Sequence, residues 1–314
     1  MTDGARVRYR SMAYDSARWE GFALRPDDII ITTPPKCGTT WTQMICALLI
    51  LQTPTFDQPL ATISPWIDMR TRPLPQVVAD LDAQQHRRVI KTHTPRDGLR
   101  WDDEVTYLCV ARDPRDVALS FAHHQANMDL RAFATAIEES ASIERPTDLT
   151  GPPQAPPPGE ATLEECFWLW VDSPVPPTEI GSSLRRTVEH LASFWEVRDR
   201  PNVVLLHYAD LLDDLDGQMH HLAERLAIDV PDDLWPALVE AATFARMKEH
   251  ASAIVPGSTE HLWHSDEQFF NKGTSGQWRG LLDDDGQRRY DQALARLAPA
   301  DLIAWLEHDL PAAP

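Results

Sequence analysis

The residues best placed to do chemistry form one short stretch, Pro35-Lys36-Cys37-Gly38-Thr39-Thr40-Trp41, between a β-branched run at 28–33 and an apolar segment at 41–52. A strand that passes through a tight, glycine-containing turn into a helix presents free backbone N–H groups and the positive end of a helix dipole, which together cradle a phosphate. The Walker A pattern GxxxxGK[ST] is absent, because Lys36 precedes Gly38. This speaks against a nucleoside-triphosphate site that holds Mg²⁺ on the residue after the lysine. A plainer reading is a loop lysine in water beside an ordinary capped helix. Cys37 adds a third, since a thiol at a helix N-terminus beside a lysine can be held as a reactive thiolate.

Positioning such a loop requires a sheet behind it. The runs 28–33, 88–91, 105–111 and 202–208 read as short strands. Helical segments are expected over 41–52, with Thr39 and Thr40 as its caps, and over 116–128, 184–197 and 218–227. Strands alternating with helices imply a mostly parallel central sheet flanked by helices, hence an α/β fold, read as a single domain over 1–314. The stretches 146–158 and 173–177 are proline-rich and read as surface loops within an insertion at 146–177. They flank the aromatic run Phe167-Trp168-Leu169-Trp170, which either pins the insertion to the core or forms part of a lid over a substrate mouth.

Lys and Arg number 29 against 48 Asp and Glu, a formal net charge of −19 over 314 residues. A chain this acidic argues against a nucleic-acid partner but leaves room for one anionic ligand held locally. Hydrophobic residues at 43% and charged residues at 25% fit a globular chain with a sizeable core. The cysteines Cys37, Cys46, Cys109 and Cys166 form no CxxC pair, so reduced thiols, no metal cluster and a cytoplasmic location are expected. The N-terminus shows no apolar signal region, and the best apolar run, 44–51, is too short to span a bilayer.

The segments TTPPKCGTTW, KTHTP, VARDPRDVALS, LLHYADLL, TFARMK and NKGTSGQWR occur in that order across most of the chain. Together with Ser64-Pro-Trp-Ile-Asp68 they resemble the soluble, cytosolic type of sulfotransferase that uses 3′-phosphoadenosine 5′-phosphosulfate (PAPS) without a metal. The resemblance implies a P-loop-like fold and assigns roles. Lys36 stabilises the leaving phosphate, and the amides of Cys37, Gly38, Thr39 and Thr40 hold the 5′-phosphate. Trp41 stacks on adenine, with Tyr208, Thr243, Phe244 and Met247 around the nucleotide. His93 is the general base for the acceptor hydroxyl, and Lys91 binds the sulfuryl oxygens. Arg112 and Ser120 grip the 3′-phosphate, and Ser120 also restrains the loop lysine.

Two positions depart from the family pattern. Cys37 stands where serine is usual. In Asn271-Lys272-Gly273, the asparagine replaces an arginine and removes a positive charge from the implied 3′-phosphate site. Segment 251–270 resembles the family's mobile loop over the acceptor. The acceptor is expected to be a hydroxyl on an apolar body such as a phenol, steroid or glycolipid, walled by Trp66, Phe121, Met128 and the 167–170 aromatics. A P-loop nucleotide kinase or NTPase, and a non-catalytic nucleotide-binding relative, are the alternatives. The family's dimer signature is not evident in 279–290, which leaves the oligomeric state open.

Overall fold

The isoleucines at 29–31 lie at the centre of a parallel sheet in the computed structural model, which describes residues 6–143, 161–258 and 260–308. Four strands, β1 (Ile29–Thr32), β2 (Val89–Thr92), β3 (Thr106–Ala111) and β4 (Val203–His207), run in the order β2-β1-β3-β4, every pair parallel. Successive strand residues point to opposite faces. Ile29 and Ile31 join Leu108, Val110, Val204 and Leu206 on one side, whereas Ile30 joins Tyr107, Cys109, Ala111 and Val203 on the other. Because helices cover both faces, the central residues of β1, β3 and β4 are apolar on both sides rather than alternating.

The helices Thr39–Leu51, Leu215–Arg225 and Trp235–Ala242 pack on the first face. Pro114–Ala126, Leu163–Val171, Leu184–Trp195, Asp284–Ala295 and Ala300–Leu306 pack on the second. The chain is a single α/β domain. The connection from β1 leads to β2 on one side, and that from β3 leads to β4 on the other. Such a reversal opens a crevice beyond the carboxyl ends of β1 and β3.

A buried ion pair fastens the opposite end of the sheet. Arg88 grips Asp28 through Nη2–Oδ2 at 2.5 Å and Nε–Oδ1 at 2.8 Å, with the two side chains 1% and 2% exposed. Removing one partner leaves an uncompensated buried charge, so Asp28→Ala is expected to cost about 3–5 kcal/mol, read as a lower urea midpoint. A midpoint matching the wild type would show that Arg88 finds an equivalent partner elsewhere.

The aromatic run lies on helix Leu163–Val171, which starts with a capping box between Thr162 and Glu165. Phe167 packs against Tyr290, Trp168 lies under the Arg289 guanidinium at 3.9 Å, and Trp170 Nε1 donates to Ser182 at 2.8 Å. These aromatics therefore fasten the segment to the second face and do not wall the crevice, which corrects the expectation for 167–170. The 146–158 stretch falls outside the described residues. No described helix is long and apolar enough to cross a membrane.

Candidate active site

The turn after β1 depends on two residues in the left-handed region, Lys36 at φ +70° and Gly38 at φ +95°. A Cβ on Gly38 would come within 3.0 Å of the Tyr208 ring, so glycine also permits the close approach of that ring. Gly38, rather than Thr39 or Thr40, is the N-cap of helix Thr39–Leu51, and no side chain caps it. Thr39 instead shares a hydrogen bond with Thr33, hydroxyl to hydroxyl. A thirteen-residue helix thus presents an uncapped N-terminus to a cavity that Lys36, Gly38, Thr39, Thr40 and Trp41 line.

Cys37 is the exception in this loop. Its side chain is fully buried in the opposite core and its N–H donates to Pro34 O at 3.4 Å. Burial pushes the thiol up to about 12. A thiol buried in this way does not fit the reactive-thiol reading.

Four cationic side chains, Lys36, Lys91, Arg112 and Lys272, line the cavity. Lys36 Nζ stands 3.3 Å from His124 Nδ1 and 4.7 Å from the Phe269 ring centroid. Lys91 Nζ lies 4.2 Å over the Trp66 ring. Arg112 donates to the carbonyls of Lys36 and Thr274, both at 3.1 Å, lies 4.3 Å over Tyr208, and leaves its buried Nε without a partner among the described residues. Burial, with Arg112 and Lys91 nearby, lowers the Lys36 ammonium to about 7. Burial also lowers Lys91 to about 7, against the pull of Asp68.

His93 follows β2 and is 6% exposed. Its Nδ1 lies 2.6 Å from the Thr33 carbonyl, which can only accept, so Nδ1 carries the proton and Nε2 is the basic nitrogen. Trp66 and Tyr14 pack edge-on against the ring at 4.7 and 6.3 Å. Burial first, then Lys91, holds its pKa well below the ordinary 6.5, so the imidazole is neutral at physiological pH.

Ser120, on helix Pro114–Ala126, and Tyr208, Phe244, Met247, Asn271, Lys272 and Gly273 also line the cavity. Gly273 sits at φ +65° with the Phe244 ring where a Cβ would be. Asp116 holds this last loop by accepting from the N–H groups of Gly276 and Gln277 at 2.7 and 2.8 Å. Of the residues that the resemblance assigns to catalysis and nucleotide binding, all but Cys37 and Thr243 line the cavity. Thr243 instead caps helix Phe244–Glu249 by accepting from Arg246 N.

Trp66, Phe121 and Met128 line the other end, as expected from the sequence, together with Met12, Tyr14, Met69, Phe133, Trp263 and Phe269. Residues near the cavity are tied to it here: Trp263 donates to Pro256 O at 2.7 Å, and Asn127 exchanges hydrogen bonds with Ser265. His124 was missed in the sequence. It is four residues after Ser120 on the same helix, the spacing that puts both on one face, and this was the signal that could have found it. Tyr14 reaches the site through an isolated bridge to Met69, a pairing no local pattern announces.

A family model described as "Sulfotransferase domain" matches residues 26–299. The chain belongs to the sulfotransferase family. A "Glycolipid sulfotransferase" of Mycobacterium bovis is 43% identical to this sulfotransferase over 97% of the chain and 94% of the relative. "Sulfotransferase 1C2" of Homo sapiens is 26% identical over 88% and 85%. The fold matches retinol dehydratase solved with androsterone and the inactive cofactor PAP (TM-score 0.65, 20% identity, 90% of this chain and 86% of that one). It also matches mouse sulfotransferase SULT7A1 complexed with PAP (TM-score 0.66, 19% identity, 92% and 90%). With family membership on sulfotransferase sequences and no Walker lysine in the loop, the kinase or NTPase alternative is not favoured.

Proposed function

We propose that this sulfotransferase moves the sulfuryl group of PAPS to a hydroxyl of a glycolipid-like acceptor. The observation that carries the reading is the meeting of Lys36, Lys91, Arg112 and an uncapped helix N-terminus beside a neutral, buried His93. The donor set fits the nucleotide: cations depressed by burial, an Arg112 Nε unpartnered among the described residues, and aromatic side chains at Trp41, Tyr208 and Phe244. When bound, PAPS supplies an activated sulfuryl group on its 5′-phosphate.

In this reading the amides of Gly38, Thr39 and Thr40 and the Lys36 ammonium hold the 5′-phosphate. Lys36 counters the negative charge that develops on the bridging oxygen. Lys91 faces the sulfuryl oxygens, and His93 Nε2 takes the acceptor proton. Arg112, Ser120 and Lys272 hold the 3′-phosphate, with Asn271 offering an amide where the family has a charge. Trp41 and Phe244 flank the adenine beside Tyr208 and Met247. The apolar end around Phe133 and Trp263 takes the acceptor's hydrocarbon. The 43% identical glycolipid sulfotransferase supports an acceptor of this class, and four unpaired cysteines support a reducing, cytoplasmic setting.

The test is transfer of ³⁵S from labelled PAPS to octyl β-D-glucopyranoside, with the product identified by mass. Mg²⁺-dependent ATP turnover with no label transferred would sink the reading. The lysines add a pH signature. Both titrate near pH 7 in the free protein, and a bound polyanion raises their pKa, so binding of adenosine 3′,5′-bisphosphate at pH 8 takes up protons. Affinity therefore falls as pH rises above about 7. Calorimetry in buffers of different ionisation enthalpy measures the uptake, and zero uptake at pH 8 would contradict it.

A further inference from the structure

The reaction cavity does not end at Trp66. Beyond it lies a second cavity, walled on one side by Gln43, helix Leu60–Ile63 and residues 71–76, and on the other by Ser252, residues 254–258 and Glu260. Trp66, Met69, Lys91 and Pro256 line both cavities and mark their junction. Trp66 pairs with Lys91 along the outer edge of β2, where Lys91 N donates to Pro65 O at 2.9 Å and Ile67 N to Lys91 O at 3.3 Å. The Trp66 ring that separates the cavities is 4.7 Å from the His93 ring. A ligand that occupies both passes the general base at its waist.

The two cavities differ in chemistry. The acceptor end of the first is walled by Met12, Tyr14, Met69, Met128, Phe133 and Trp263. The second carries amide and hydroxyl groups from Gln43, Ser64, Thr71, Gln76, Ser252 and Ser258. Gln43, Ser64 and Thr71 are buried, at 4%, 1% and 6% exposure. The Gln43 amide is held by donating to the Ser64 carbonyl and hydroxyl at 2.7 and 3.0 Å. Arg72, Glu260 and, at the junction, Lys91 contribute charges of both signs, and Arg72 is paired with Asp80 at 2.6 Å. Mixed donors and acceptors, with charges of both signs rather than one, suit a neutral polyol better than an anion or a hydrocarbon.

We propose that the acceptor site has two arms, and that the second cavity is a subsite for the uncharged sugar of an amphipathic acceptor whose hydrocarbon lies in the first. The proposal rests on the sulfotransferase reading above and narrows its acceptor to a neutral glycoside. The reacting group is a sugar hydroxyl at the Trp66–Lys91 junction. Its oxygen bonds to sulfur, its proton passes to His93, and the bond from sulfur to the 5′-phosphate oxygen breaks with the electron pair leaving on the phosphate.

Gln76 and Ser252 are exposed side chains at the rim of the second cavity, so Gln76→Trp and Ser252→Trp narrow it without touching the core. The probes are octyl β-D-glucopyranoside and 2-naphthol, titrated calorimetrically in the presence of adenosine 3′,5′-bisphosphate. In each variant the ratio of glucoside affinity to naphthol affinity is expected to fall at least about tenfold, the scale of a blocked subsite contact. An unchanged ratio in both folded variants, or equal loss for both probes, overturns the proposal. A fallen ratio with no label transferred from PAPS to either probe upholds the sugar arm and removes the sulfotransfer reading instead.

Discussion

His93→Ala is expected to lower turnover by about 10²–10⁴-fold, the usual contribution of a positioned general base, while adenosine 3′,5′-bisphosphate binds within about twofold of wild type. The size follows from how this imidazole is held. The Thr33 carbonyl fixes the proton on Nδ1, and burial keeps the ring neutral, so Nε2 is a free base throughout the physiological range. Because the pKa is depressed below 6.5, protonation and loss of activity begin only on the acid side of that value. The ring also packs against Trp66 and Tyr14, so alanine leaves a gap. His93→Asn is the companion variant, keeping an amide near the Thr33 carbonyl but offering no base. If both variants lose bisphosphate affinity along with turnover, His93 is a structural residue and the base lies elsewhere.

Lys36→Ala carries the second large effect, a fall in kcat of about 10²–10³-fold, the range for removing one group that stabilises developing negative charge. The lysine sits at φ +70° in the turn, 3.3 Å from His124 and under the influence of Arg112 and Lys91. Arginine is not expected to restore the rate. Its planar, rigid fork cannot replace a compact ammonium in so enclosed a place. Single-turnover measurements with saturating PAPS separate the chemical step from binding. A variant whose single-turnover rate is normal and whose affinity alone is weak would show that Lys36 anchors the nucleotide without acting on the leaving group.

Much of the site was legible in the chain because its parts are local. Strand, turn and helix around Lys36 and Gly38 lie within about ten residues, and a glycine at a strand end has a specific backbone use. The strand cores at 29–31 and 105–111 could be read because both sheet faces are covered and the runs are uninterrupted. The burial of the Cys37 side chain was not legible, because the φ signs of the turn, which send it into the core, are not a property of residue type. The cap made by Thr243 was not legible for a related reason, since a threonine before a helix serves equally as a cap or a ligand contact.

The sequence by itself therefore determined the α/β alternation, the glycine-containing turn after the first strand and most of the residues around it, since short-range sterics and hydrophobic period act along the chain. Only the tertiary structure decided the acceptor end. Met12 and Tyr14 from the N-terminal segment, Trp66 on the edge of β2, Phe133 on helix Leu130–Ile143 and Trp263 in a loop are remote in sequence. They meet because isolated bridges at Tyr14–Met69 and Met128–Trp263 and a shared apolar cluster bring them together. Packing of that kind depends on which distant surfaces bury one another, and no local pattern encodes it.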